Sequence, residues 1–239
     1  MIQIRSALFS ALFLAIMVVM SLLYLPLLAL PRRVMVVAAR WWVAVSLAIL
    51  KHVAGVRWQV RGRENLPGGG FLVAAKHQSA FETFAFRLVL DDPAYVLKRE
   101  LTWIPFFGWY LAKSGVIAID RGAGAKALKA MVKGAQAAAA EGRPVIIFPE
   151  GTRTAPGHKL PYHSGVAMLY GAMGTPVVPV ALNSGMFWGR RSFLKRPGTI
   201  IIEFLPAIAP GMDRKAFMAE LESRIETASD RLVAEDSKA

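Results

Sequence analysis

His77 and Glu82 stand five residues apart in Lys76-His77-Gln78-Ser79-Ala80-Phe81-Glu82. An imidazole with a carboxylate in reach is the pairing that holds a general base in one tautomer and steadies the imidazolium it becomes. On an uninterrupted helix, five steps rotate by about 500°, which leaves the two side chains roughly 140° apart. They meet only if His77 lies ahead of the helix. The same segment offers that start, because Ser79-Ala80-Phe81-Glu82 has the form of a capping box, with Ser79 as N-cap and Glu82 reaching back to its amide. A structural duty for Glu82 thus competes with a catalytic one, and both leave His77 on the preceding turn.

Two further polar clusters follow short β-branched runs: Lys98-Arg99-Glu100, and Pro149-Glu150-Gly151-Thr152-Arg153. With His77 and Glu82 they supply a base, its carboxylate, two or three cations and a second carboxylate. That set suits moving an acyl group onto a hydroxyl of an anionic substrate. Taken alone, Lys98, Arg153 and Glu150 read as a surface ion pair across a turn, worth about 0–1 kcal/mol. Arg121, which ends Gly115-Val116-Ile117-Ala118-Ile119-Asp120-Arg121, is a third candidate cation.

The elements that position these residues alternate. Strands are expected at 58–62, 71–75, 94–97, 115–119, 144–148, 177–182 and 199–204, and helices at 81–90, 125–141, 164–173 and 213–235. Alternation of this kind implies an α/β fold with a largely parallel central sheet flanked by helices, whose sites open at the carboxyl ends of strands. Gly122-Ala123-Gly124-Ala125-Lys126-Ala127, with Glu141 further on, imitates a dinucleotide fingerprint. The acid in that fingerprint ends the next strand, whereas Glu141 falls before the run at 144–148, so the match is set aside. The chain has no GxSxG and no GxxxxGK[ST], and His52, His158 and His163 show no pairing in sequence.

In front of this unit the chain changes character. Residues 7–30 run for 24 positions without a charge, enough to cross a hydrocarbon core of about 30 Å as a helix. A second apolar stretch, 34–50, is broken only by Arg40 and carries Trp41 and Trp42, which favour the headgroup layer. A cleaved signal peptide fits less well, since its apolar run is usually about 7–15 residues and ends at a small-x-small site. The expected division is a membrane-anchoring helical segment at 1–51 and a catalytic domain at 52–239. Arg32 and Arg33 between the two stretches oppose a paired crossing, because cations favour the cytoplasmic side. Either the first stretch spans alone or the pair forms a hairpin embedded in the cytoplasmic leaflet.

Composition agrees. Of 239 residues, 55% are hydrophobic and 19% charged, with mean hydropathy +0.42. The net charge is +13, and eight cations precede the first acid, Glu64. Cations interleaved with Leu, Val and Trp suit an anionic bilayer surface better than a nucleic-acid groove. The absence of cysteine excludes disulfides, thiolate metal sites and a cysteine nucleophile.

The polar clusters together carry a resemblance. His77–x4–Glu82, then Lys98-Arg99-Glu100-Leu101 with Ile104-Pro105-Phe106-Phe107-Gly108, then Phe148-Pro149-Glu150-Gly151-Thr152-Arg153, and Val178-Pro179-Val180 resemble in order and spacing the four blocks of the glycerolipid acyltransferases. The resemblance covers about residues 58–205 and is strongest to the bacterial lysophosphatidic acid branch. One position departs, since the family block is usually His–x4–Asp and this chain has Glu82.

The resemblance implies direct transfer of an acyl chain from acyl-CoA or acyl-carrier protein to the sn-2 hydroxyl of lysophosphatidic acid, with His77 as base and Glu82 behind it. It implies Lys98, Arg153 and Arg121 as phosphate ligands, and Glu150 with Gly151 in the substrate turn, Glu150 fixing a glycerol hydroxyl or holding Arg153. Amides near Val178–Val180 would stabilise the oxyanion, and Trp103, Phe106, Phe107 and Trp109 would line an acyl groove. No metal or redox cofactor is implied. The implied setting is the bacterial inner membrane, catalytic face to the cytoplasm, with bilayer, lysophospholipid and thioester donor as partners and no nucleic acid. Alternatives are another lysolipid (a lyso-aminolipid), glycerol 3-phosphate, or a non-catalytic lipid-binding protein.

Overall fold

A computed structural model describes residues 1–236. Its strands are β1 Val56–Arg61, β2 Leu72–Ala75, β3 Ala94–Lys98, β4 Ile117–Ile119, β5 Val145–Ile147, β6 Val177–Leu182 and β7 Gly198–Phe204. They form one sheet in the order β1-β7-β6-β2-β5-β3-β4. The five strands from β6 to β4 run parallel, whereas β7 is antiparallel to β6 and carries β1 with it. β2, β5 and β6 bury every residue, as central strands covered on both faces by helices must. The largely parallel α/β sheet expected from the sequence is present.

The helices are α1 Ile2–Leu23, α2 Arg32–Ile49 with a closing π turn Leu50–Ala54, α3 Phe81–Val89, α4 Phe107–Lys113, α5 Gly124–Ala140, α6 Gly165–Met173, α7 Ser184–Phe187 and α8 Arg214–Asp236. Successive strand residues point to opposite faces, and two cores result. Val73 and Ala75 of β2 enter the first, closed by Phe9 of α1, Val43 and Leu47 of α2, and Phe86 of α3. Leu72 and Ala74 enter the second, closed by Met131 of α5, Leu169 of α6 and Phe217 of α8.

The amino-terminal hairpin therefore belongs to the core. α2 buries Met35, Val36, Val43, Ser46, Leu47 and then Leu50, a stripe at helical spacing, and each large apolar side chain so buried contributes about 1.5–3 kcal/mol. Arg40 of α2 donates to the carbonyls of Arg87 and Leu90 at 3.0 and 3.3 Å, which satisfies the open carboxyl end of α3. Gly55, with φ +74°, ends the helix, so the division expected at residue 51 falls inside its last turn. The outer surface is different. Leu8, Leu14, Val18, Val19, Leu22 and Leu23 of α1 are more than half or nearly half exposed, and both helices are long and apolar enough to cross a membrane.

Two elements were not expected. α7 is four residues long. α4 follows Phe106, whose φ is +62°, and a chain reversal at a bulky residue leaves no mark in hydrophobic periodicity.

Candidate active site

The carboxyl ends of β2, β3, β4 and β5 converge on one cavity of about 970 Å³. The chain leaves β2 at Ala75, and residues 76–79 belong to no helix or strand before α3 begins at Phe81. His77 therefore precedes the helix, and its Nδ1 lies 2.8 Å from Glu82 Oε1. The same Oε1 accepts the amides of Gln78 and Ser79 at 2.7 and 2.6 Å. Oε2 accepts the Ser184 hydroxyl at 2.7 Å. The contact with His77 and the contacts with the amides ahead of the helix do not compete, because one fully buried carboxylate makes both. The N-cap is Ala80 rather than the expected Ser79, which stands one residue before it with its Oγ accepting the amide of Phe81 at 3.1 Å.

With Nδ1 donating to a carboxylate, the neutral ring keeps its lone pair on Nε2. The ring stacks on Phe148, centroids 4.0 Å apart, and lines the cavity. Its backbone is clamped on both sides, the amide donating to Glu150 Oε2 at 3.0 Å and the carbonyl accepting from Thr154 at 2.7 Å.

Glu150 does not stand where the sequence placed it. Its side chain is buried and turned away from Arg153, with Oε1 2.7 Å from Lys76 Nζ. Lys76, itself buried, also reaches Glu226 of α8 at 2.8 and 2.9 Å and the carbonyl of His158 at 3.3 Å. Tyr162 donates to Glu226 at 2.8 Å, and burial, then the adjacent Glu226 charge, raise the pKa of its hydroxyl. Glu150 thus holds the backbone of His77 and pairs with Lys76 rather than with Arg153. Gly151 makes the turn that allows this. Its φ is +66° and its amide donates to Phe148 O at 2.9 Å, while an added Cβ would lie 2.8 Å from His163, so only glycine fits.

Lys98, Arg121 and Arg153 all line the cavity, as expected. Arg121 Nη1 donates to the carbonyl of Gly151 at 2.9 Å. His163, which the sequence left unpaired, lines it too, with Arg190 and Arg191. The two arginines lie in the loop between α7 and β7, where no strand end in the sequence marks them. No Asp or Glu is among the cavity's lining residues, so the charges on its walls are cationic and favour an anionic occupant. Away from the cations the walls are apolar: Met17 and Met20 of α1, Trp42 of α2, Leu101, and Leu111 of α4.

Two expectations need correction. Phe107 lines the cavity, but Trp103, Phe106 and Trp109 do not; Trp103 and Trp109 are exposed on the outer surface. The backbone near Val178–Val180 is no oxyanion hole, because β6 is fully buried and paired on both sides, and residue 179 is a proline.

A family model described as Acyltransferase matches residues 57–183, more than half the chain. The chain belongs to the acyltransferase family. It is 38% identical over 196 residues to the 1-acyl-sn-glycerol-3-phosphate acyltransferase of Pseudomonas aeruginosa, covering 82% of this chain and 76% of that one. It is 30% identical over 199 residues to 1-acyl-sn-glycerol-3-phosphate acyltransferase alpha of Mus musculus, covering 79% and 68%. Among solved structures, the 1-acyl-sn-glycerophosphate (LPA) acyltransferase PlsC of Thermotoga maritima shares the fold, with TM-score 0.81, 22% identity and 98% of each chain covered. The glycerolipid acyltransferase resemblance of the four sequence blocks is thereby shown.

Proposed function

We propose that this acyltransferase moves an acyl chain from a thioester, acyl-CoA or acyl-carrier protein, to the sn-2 hydroxyl of lysophosphatidic acid, giving phosphatidic acid. The observation that carries the reading is an imidazole whose Nδ1 is held by a buried carboxylate while the ring faces a cavity lined by cations and no acids. The names of the relatives support the acceptor.

His77 Nε2 takes the hydroxyl proton as the oxygen attacks the thioester carbonyl, and Glu82 stabilises the imidazolium so formed. The tetrahedral intermediate expels the thiolate, which receives that proton back. No acyl-enzyme is needed, and the thioester carries its own activation, so the proposed reaction calls for no metal or redox cofactor. A positioned base supplies about 10²–10⁴-fold, and alignment of two bound substrates supplies much of the remainder. Lys98 and Arg153, which have no acidic partner among the described residues, would take the acceptor phosphate, Arg153 through its planar fork. The exposed apolar face of α1 would hold the protein in the cytoplasmic leaflet, where the lipid acceptor resides.

The test is transfer by the purified full chain in mixed micelles, with lysophosphatidic acid, a lyso-aminolipid and glycerol 3-phosphate as acceptors. Lysophosphatidic acid should be used best, and His77→Ala should lower kcat by about 10³-fold or more while membrane association persists. Near wild-type turnover in that variant would remove the base, and preference for an acceptor without phosphate would remove the acceptor assignment.

A further inference from the structure

The cavity mouth carries more cations than one phosphate needs. Lys98, Arg121 and Arg153 come from the turns after β3, β4 and β5, but Arg190 and Arg191 come from a different element, the loop between α7 and β7. That loop is built rather than loose. Lys195, 4% exposed, turns inward and donates Nζ to the carbonyls of Ser192 and Phe193, both at 2.9 Å. It also sits over the rings of Phe9 and Trp188, 5.8 and 5.5 Å from their centroids. Its amide donates to Ser6 of α1 at 2.9 Å, and the Arg196 amide to Phe187 O at 2.9 Å. A cation buried as a strut costs desolvation, seen in the lowered pKa of Lys195. The loop gains a fixed shape in return.

Within that fixed loop, Arg191 has φ +55°, a conformation that non-glycine residues hold only where their surroundings impose it and that clusters at ligand clamps. Arg190 Nη1 donates to the backbone carbonyl of Arg153 at 3.1 Å, so the loop is joined to the turn that bears the acceptor's cation. Neither arginine is paired with a carboxylate among the described residues.

The reaction brings two anions to one imidazole. Besides the acceptor, an acyl thioester of either carrier class hangs from a phosphopantetheine arm. We infer that Arg190 and Arg191 bind the phosphate of that arm, so that donor and acceptor each have cations of their own on the cavity that holds His77. The inference rests on the acyl-transfer reading above. An anionic lipid headgroup is the rival occupant, since Phe193 beside the pair is exposed. The position of both guanidiniums on the cavity that holds His77 favours the donor.

Donors of decreasing phosphate content decide it: acyl-CoA, acyl-dephospho-CoA, acyl-4′-phosphopantetheine and acyl-pantetheine, with acyl-carrier protein as a separate arm. Arg190→Ala and Arg191→Gly, the latter keeping the backbone conformation available, should each raise the donor KM about tenfold, and Arg191→Gly, which spares the bond from Arg190 to the Arg153 carbonyl, should leave the acceptor KM within about twofold. The penalty should vanish with acyl-pantetheine. A penalty retained by 4′-phosphopantetheine and by the carrier protein assigns the pair to the shared arm, whereas one confined to acyl-CoA moves it to that donor's nucleotide phosphates.

Calorimetric titration of the full chain with free CoA reads the same contact without turnover. The variants should weaken binding by a similar factor, even if lysophosphatidic acid proves not to be the acceptor. The inference is overturned if the acceptor KM rises instead, if acyl-pantetheine shows the same penalty, or if donor KM and CoA binding are unchanged while only adsorption to phosphatidylglycerol vesicles falls.

Discussion

Two charge clusters lie at opposite edges of the sheet, and they are built on opposite plans. Behind His77, at the carboxyl edge, one ammonium, Lys76, faces two carboxylates, Glu150 and Glu226, and its three donors meet Glu150, Glu226 and the carbonyl of His158. At the amino edge, before β3, one carboxylate, Asp92, faces three guanidiniums: Arg32 at 2.5 Å, Arg143 at 3.3 Å and Arg87 at 4.0 Å. That second cluster is slack. Arg87 Nη1 and the Tyr95 hydroxyl are buried without hydrogen-bond partners. The contrast shows where geometry has to be tight. The satisfied cluster ends on the amide of His77, while the slack one ties the start of α2 to a loop, where one bond more or less is tolerable.

Breaking the tight cluster should have the largest effect. Lys76→Met leaves two buried carboxylates without their cation and should destabilise the protein by about 3–5 kcal/mol, read as a fall in thermal midpoint or a loss of folded yield. Glu226→Gln is gentler. It keeps the shape and Tyr162 contact but removes one of two charges from Lys76, so kcat should fall about tenfold while both KM values hold. Glu226→Asp should recover part of that loss. Unchanged kcat in Glu226→Gln would mean that α8 does not position the base.

Arg32→Met probes the slack cluster. Its ion pair is a third exposed on the arginine side, so the cost should stay at or below about 1 kcal/mol with full turnover. A larger loss there than in Glu226→Gln would reverse the comparison.

The sequence carried what depends on neighbours in the chain. The β-branched runs gave every strand of the sheet, since a fully buried strand such as Val177–Leu182 is apolar throughout. The angular argument for His77 and Glu82 placed His77 ahead of the helix, which the 2.8 Å contact matches. What the sequence did not carry depends on closure of the fold. Glu226 lies 150 residues from Lys76, and nothing local distinguishes it from the solvated acids around it on α8. Glu150 was misassigned for the same reason, because a carboxylate beside an arginine reads as its partner until a buried lysine from another strand claims it. Trp103 and Trp109 looked like groove residues by type, but the folded chain leaves both exposed on the outer surface.

Phe9, Val43, Leu47 and Leu50 sit in the same core as the strands beneath His77, which sets a rule for handling this molecule. Clipping off the hairpin to obtain a water-soluble enzyme would uncover the sheet it shields and yield an aggregating remnant. Solubility has to be gained by recolouring the outward side of α1 with polar residues, leaving its inward side untouched.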